Sequence, residues 1–178
     1  MREILFRGKR VDNGEWVEGQ TIVVIHQDDN DLIFMPQHGE DVKADIMDGN
    51  DRALTSIYGN YYQILPETVE QFTGLTDKNG RKIFEGDIVR LFDISVGEIV
   101  QECGAFGIGC RKQIDYDYLA SEIAPVTGSN NTPMFCYNDN FVSLLELWWN
   151  YNEEGDEISV IEVIGNIHDN PEMLEVTK

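Results

Sequence analysis

Residues 73–91, TGLTDKNGRKIFEGDIVRL, constrain the fold more than any other stretch, because a turn with a stated mechanism runs straight into a strand signal. In Asp77-Lys78-Asn79-Gly80 the Asp and Asn side chains can bond their own backbone, and Asn-Gly accepts positive φ at low steric cost. The chain should reverse there. Ile83 and Phe84 then lead to Gly86-Asp87, which reads as a bulge or tight corner. Ile88, Val89 and Leu91 follow at β spacing, half of them facing a core.

Most of the remaining chain also reads as short strands. Residues 2–7 alternate, Asp12-Asn13-Gly14 supplies a hairpin turn, and residues 15–25 should pair back antiparallel. Residues 32–35 form a short strand stopped by Pro36. Residues 37–51 are polar and glycine-dotted, a long loop or a weak edge pairing. Residues 53–58 and 61–65 are two strands broken at Gly59-Asn60, with Tyr58, Tyr61 and Tyr62 forming an aromatic patch. Pro66 and Glu67 open one helical turn over 66–72. Strands follow at 97–101 and 105–114, the second weakened by Gly107 and Gly109, and 113–133 is a polar excursion. In residues 141–151, FVSLLELWWNY, the spacing of Phe141, Leu144, Leu145 and Trp148 suits a helix while the aromatics and Val142 suit a strand. An apolar run this short does not settle the matter, and the reading leans to strand. Gly155-Asp156 marks a turn, 158–167 a strand, and Asn170-Pro171 a capped terminal turn.

With 178 residues the chain can bury one full core or two small ones, and needs no disulfide or metal to fold. Thirteen basic residues against 33 acidic give a formal charge of −20. Direct binding to nucleic acid or to an anionic membrane is therefore disfavoured, since both require clustered Lys and Arg. A basic protein partner, or one displaced from DNA, is electrostatically permitted; the plain alternative is that the charge serves solubility. Cys103, Cys110 and Cys136 are odd in number and lack a C-x-x-C pair, which fits a reducing compartment. The opening residues lack an apolar signal core and no run reaches 18 apolar residues, so the expectation is a cytoplasmic protein.

No catalytic, cofactor or metal site assembles from the sequence. His38, Glu40, Asp41, Asp45, Asp48 and Asp51 cluster, but neither Asp48-Gly49-Asn50-Asp51 nor Asp77-Lys78-Asn79-Gly80 continues into a calcium ligand ladder. Both read as turns. His26 and His168 are isolated, no G-x-S-x-G is present, and Cys103 and Cys110 sit in apolar, glycine-containing strands where a thiol is inert. The glycines of residues 104–109 fit a strand better than a phosphate cradle, because no apolar-periodic helix follows. The candidate contact residues are the aromatic pairs Tyr61-Tyr62 and Trp148-Trp149, since large rings anchor protein interfaces.

Three blocks, REILFRGKRVDNGEWVEG at the start, TGLTDKNGRKIFEGDIVR in the middle and VIEVIGNIHDNPEML at the end, together resemble the YopX family of phage and prophage proteins. The resemblance implies a largely β protein with a small SH3-like barrel and no established biochemical role. The expected architecture is mainly β, with little helix. An N-terminal β-hairpin module would occupy 1–65, and an SH3-like barrel domain 66–178, its strands beginning near Lys82 and its polar insert near 113–133. The expected function is a non-enzymatic accessory protein, without cofactor, that binds an unidentified protein or itself. One alternative is an acidic DNA mimic that fills the basic groove of a nucleic-acid-binding protein. Its carboxylate rows would be Asp28, Asp29 and Asp31; Glu40, Asp41, Asp45, Asp48 and Asp51; and Glu153, Glu154, Asp156 and Glu157. A second is a small hydrolase with an unrecognised site.

Overall fold

The computed structural model describes residues 3–27, 30–37, 43–45, 56–58, 60–93, 95–102, 104–109, 141–152 and 155–174. The three cysteines, His38, the excursion over 113–133 and most of the three carboxylate rows lie outside them. The chain divides into two compact units, Met1–Phe72 and Thr73–Lys178.

In the first unit, β1 (Phe6–Lys9) and β2 (Trp16–Gly19) form the expected antiparallel hairpin, in register from Phe6 opposite Gly19 to Lys9 opposite Trp16. Its turn closes because Gly14 takes φ +72, which lets its N–H donate to the Arg10 carbonyl at 2.9 Å. The β-branched run from Thr21 does not extend β2. Instead β3 (Val23–Gln27) pairs with β4 (Asn30–Pro36), which pairs in turn with β7 (Tyr61–Ile64). From the polar stretch, β5 (Lys43–Asp45) pairs antiparallel with β6 (Ser56–Tyr58), which falls in the strand expected over 53–58. Ile33, Met35 and Ile64 form the core, with Phe6, Val17, Ile22, Tyr62 and Val69 packed around it.

The helical turn expected over 66–72 is confined to Pro66–Thr68, is 3₁₀ and ends in a polar clamp, and from Glu70 the chain is strand. The Thr68 hydroxyl donates to the Leu65 carbonyl at 2.7 Å and accepts the Lys9 N–H at 2.9 Å. Strand β8 (Glu70–Asp77) follows, its first residues pairing with β1 through Arg7 opposite Glu70 and Phe6 opposite Gln71. The Arg7 and Glu70 side chains join at 2.6 Å, both buried. Removing either would strand a charge in the interior, which typically costs 3–5 kcal/mol.

The second unit holds the rest of β8, then β9 (Lys82–Phe84), β10 (Asp87–Leu91), β11 (Ser95–Glu102), β12 (Ala105–Gly109) and β13 (Phe141–Ser143). Helix α1 (Leu144–Tyr151), β14 (Glu157–Ile158), β15 (Ile161–Asn166) and a 3₁₀ turn at Pro171–Leu174 complete it. The principal sheet has the order β13-β12-β11-β10-β15, antiparallel throughout, and β9 and β14 pair with β8. The architecture is mainly β. Among the described residues the strands lie in open sheets and close no barrel.

The strand expectation for 141–151 holds only for the first three residues. From Leu144 the chain is helical, because Leu144, Leu147 and Tyr151 fall on one helical face and are all buried. They join Ile83, Val89, Leu91, Ile99, Ile108 and Val142 in the core of this unit. The single strand expected over 158–167 is two, broken where the Ser159 hydroxyl and N–H both donate to the Tyr151 carbonyl. Gly107 lies under Phe141, so close that a Cβ there would sit 2.2 Å from the ring. Glycine in β12 is thus a packing requirement rather than a weakness.

Candidate functional site

Two places concentrate the residues singled out by the sequence, and they differ in kind. The first is the central turn. Asp77 is buried, and its Oδ1 accepts the N–H groups of Asn79 at 2.8 Å and Arg81 at 2.9 Å. Its Oδ2 accepts the Val163 N–H of β15 at 2.9 Å. One carboxylate therefore shapes the turn and occupies the free edge of a strand 86 residues away. The Lys78 N–H adds a bond to the Ile161 carbonyl on that edge. Gly80 carries the left-handed φ of +73 that the turn needs.

The corner after it follows the same logic. Gly86 takes φ +74, Asp87 Oδ2 accepts the Phe84 N–H at 2.9 Å, and Asn166 Nδ2 donates to the Gly86 carbonyl at 3.1 Å. Asn166 Oδ1 also receives the N–H of His168. Asp77, Asp87 and Asn166, from the middle and closing sequence blocks, thus hold backbone with their side chains.

The second place is the outer side of α1. Leu145 is 66% exposed and Trp149 is 78% exposed, one helical turn apart on the side away from the buried residues. Trp148 is held differently. Its ring packs against the core, its indole N–H donates to the Gly155 carbonyl at 3.0 Å, and it meets Trp149 edge-on at 6.4 Å between centroids. Asn152 Nδ2 donates to the same carbonyl, so the Gly155-Asp156 turn is tied to the helix end. Glu146 stands one turn before Trp149 and Asn150. Among the described residues its buried Oε2 has no hydrogen-bond partner, and burial raises its carboxyl above the usual carboxylate value. Burial likewise raises the Tyr151 phenol, whose hydroxyl has no partner among the described residues and whose ring packs edge-on against Phe92 at 5.1 Å.

The four aromatic residues expected to make contacts thus separate. Tyr61, 39% exposed, packs edge-on against Phe34 at 4.9 Å. Tyr62 belongs to the first core and carries the Arg10 guanidinium 4.3 Å over its ring. Trp148 buttresses and Trp149 protrudes. Sequence reasoning missed Leu145 and Glu146 as neighbours of Trp149, because that grouping exists only at helical spacing. Among the described residues no three His, Cys, Asp or Glu side chains gather as a metal site would require, and no helix is long and apolar enough to cross a membrane.

The crystal structure of protein EF1440 from Enterococcus faecalis is similar to this chain at 24% identity, over 96% of this chain and 97% of that one, with a TM-score of 0.41. No curated protein matches. The family model described as YopX protein matches residues 5–175, which includes the hairpin, the central turn and the closing strand. The chain belongs to the YopX family.

Proposed function

We propose that the chain acts by binding another protein, and that the outer side of α1 is where it does so. The observation that carries this reading is Trp149: a large ring left in solvent beside Leu145, on a helix whose opposite side is anchored in a core. Exposed indoles on rigid elements are the residues from which interface hot spots are made. In this reading the five-stranded sheet is a platform of the kind expected from an SH3-like domain, and the protein is a non-enzymatic accessory factor of a phage or prophage.

A photo-reactive residue placed at position 149 and irradiated in the producing cell should give a discrete cross-linked product. The same residue at Lys82 should give none. No product at 149, or an equal yield at both positions, overturns the proposal. A reproducible enzymatic turnover abolished by one substitution would replace it with the hydrolase reading.

A further inference from the structure

The partner's chemistry can be taken one step further from charge, and this step rests on the interaction reading above. Residues 141–174 contain eight acidic residues and no Lys or Arg. Of these, Glu146 lies on α1 itself, while exposed Asp156 and half-buried Glu157 belong to the turn that Trp148 and Asn152 tie to the helix. The stretch that carries the exposed Leu145 and Trp149 is therefore acidic and supplies no cation of its own.

A second observation points the same way. In the first unit Trp16 and Tyr62 each carry an internal cation over the ring, Arg7 at 4.8 Å and Arg10 at 4.3 Å. Trp149 has no such neighbour among the described residues, and its ring is open to solvent. An indole face attracts a guanidinium by its quadrupole, and a carboxylate one helical turn away can receive that group's N–H donors. Glu146, half-buried on the same helix, has an Oε2 that no donor of the described residues engages, and a turn of its side chain brings that acceptor to the surface.

We propose that the face formed by Leu145, Glu146 and Trp149 binds a cationic protein segment that presents arginine beside an apolar side chain. The apolar side chain packs on Leu145, the guanidinium stacks on Trp149, and its donors reach Glu146. A second copy of this chain is a poor occupant, because each copy brings a charge of −20. Nucleic acid and anionic lipid are repelled on the same ground.

The test uses the full chain and three peptides of equal length in which leucine alternates with arginine, with lysine, or with citrulline, the uncharged isostere of arginine. Binding is read by calorimetry and by the difference in tryptophan emission between the wild type and W149A. The arginine peptide should bind and shift the Trp149 emission to the blue, with lysine weaker and citrulline weaker by roughly tenfold. W149A should lose roughly tenfold, and E146Q about two- to fivefold with a shallower salt dependence.

Citrulline binding as tightly as arginine, still dependent on Trp149, would show a neutral partner and leave the interaction reading intact. Equal binding of the arginine peptide to wild type and W149A would mean diffuse attraction to an acidic surface, and the proposal falls. If no peptide binds while the cross-link at position 149 still forms, the cationic partner is wrong. If both fail, the interaction reading falls with it. A Trp149 emission already blue-shifted in the free protein would mean that the chain covers this face itself, which also ends the proposal.

Discussion

Asp77 shows how much of this fold hangs on single polar atoms. Its carboxylate accepts three backbone N–H groups, two within its own turn and one, from Val163, on the edge of β15. D77A leaves the buried Val163 donor with nothing to bond, so we expect a loss of about 3 kcal/mol in urea unfolding. D77N keeps one oxygen but turns an amide donor towards donors, and should cost about 1–2 kcal/mol. A D77A midpoint equal to that of the wild type would rule out this bridging role. Gly107 is the opposite case, a residue required for what it lacks. A Cβ there lies 2.2, 2.4 and 2.7 Å from three atoms of the buried Phe141 ring, so G107A should cost about 2–3 kcal/mol. Combined with F141L, which shrinks the obstructing ring, it should cost less than the sum of the two single changes, a coupling that a double-mutant cycle measures. The turn at Asp77-Gly80 was legible in the sequence because its chemistry is local. The bond to Val163 was not, since nothing in Asp77's neighbourhood encodes a partner 86 residues away.

At the scale of elements the same division holds. The hairpin from β1 to β2 and the strands β10 and β11 follow from alternation and turn residues, whereas α1 does not. Its sequence satisfies both periods, and only the position of a core against Leu144, Leu147 and Tyr151 decides for helix. That is why the grouping of Leu145, Glu146 and Trp149 escaped the sequence. The two sides of α1 should respond differently to truncation. L147A removes a fully buried side chain and should cost about 2–5 kcal/mol, while W149A should stay within about 0.5 kcal/mol of wild type. A large loss for W149A would place that ring in the packing rather than on the surface. Glu146 adds a pH signature. Its carboxyl is raised in the folded chain by burial, so the folded state binds the proton more tightly than the unfolded state does. The resulting penalty is absent below the unfolded carboxylate value, grows as pH rises towards the folded value, and is complete above it. The stability gained by E146Q should therefore appear across that interval and persist at neutral pH. Denaturant unfolding of both proteins across the acidic range checks the sign, and a gain confined to low pH would contradict it.

For the whole molecule the dominant fact is a charge of −20 on 178 residues. Like charges gathered into compact units repel, and added salt screens them over about 10 Å at 0.1 M. The melting temperature should therefore rise between low and moderate salt, and scanning calorimetry that finds no rise would show the repulsion to be already balanced locally. Self-association is the second molecular expectation, and light scattering should find larger species only at the higher salt. A monomer at both ionic strengths ends that idea. The placement of β15 has a further consequence for biosynthesis. Strand β10 needs β15 on one side, and Asp77 needs Val163, yet Ile161 comes 70 positions after Leu91. A ribosome adds about 5–20 residues per second, so the nascent chain presents β10 with one flank unpaired for several seconds before its partner emerges. The residues waiting there include Ile88, Val89 and Leu91, all apolar and all buried once the unit is complete. During that interval the bare flank is a template for any neighbouring strand, so the yield of correctly made protein should depend on translation speed and on chaperones that cover it.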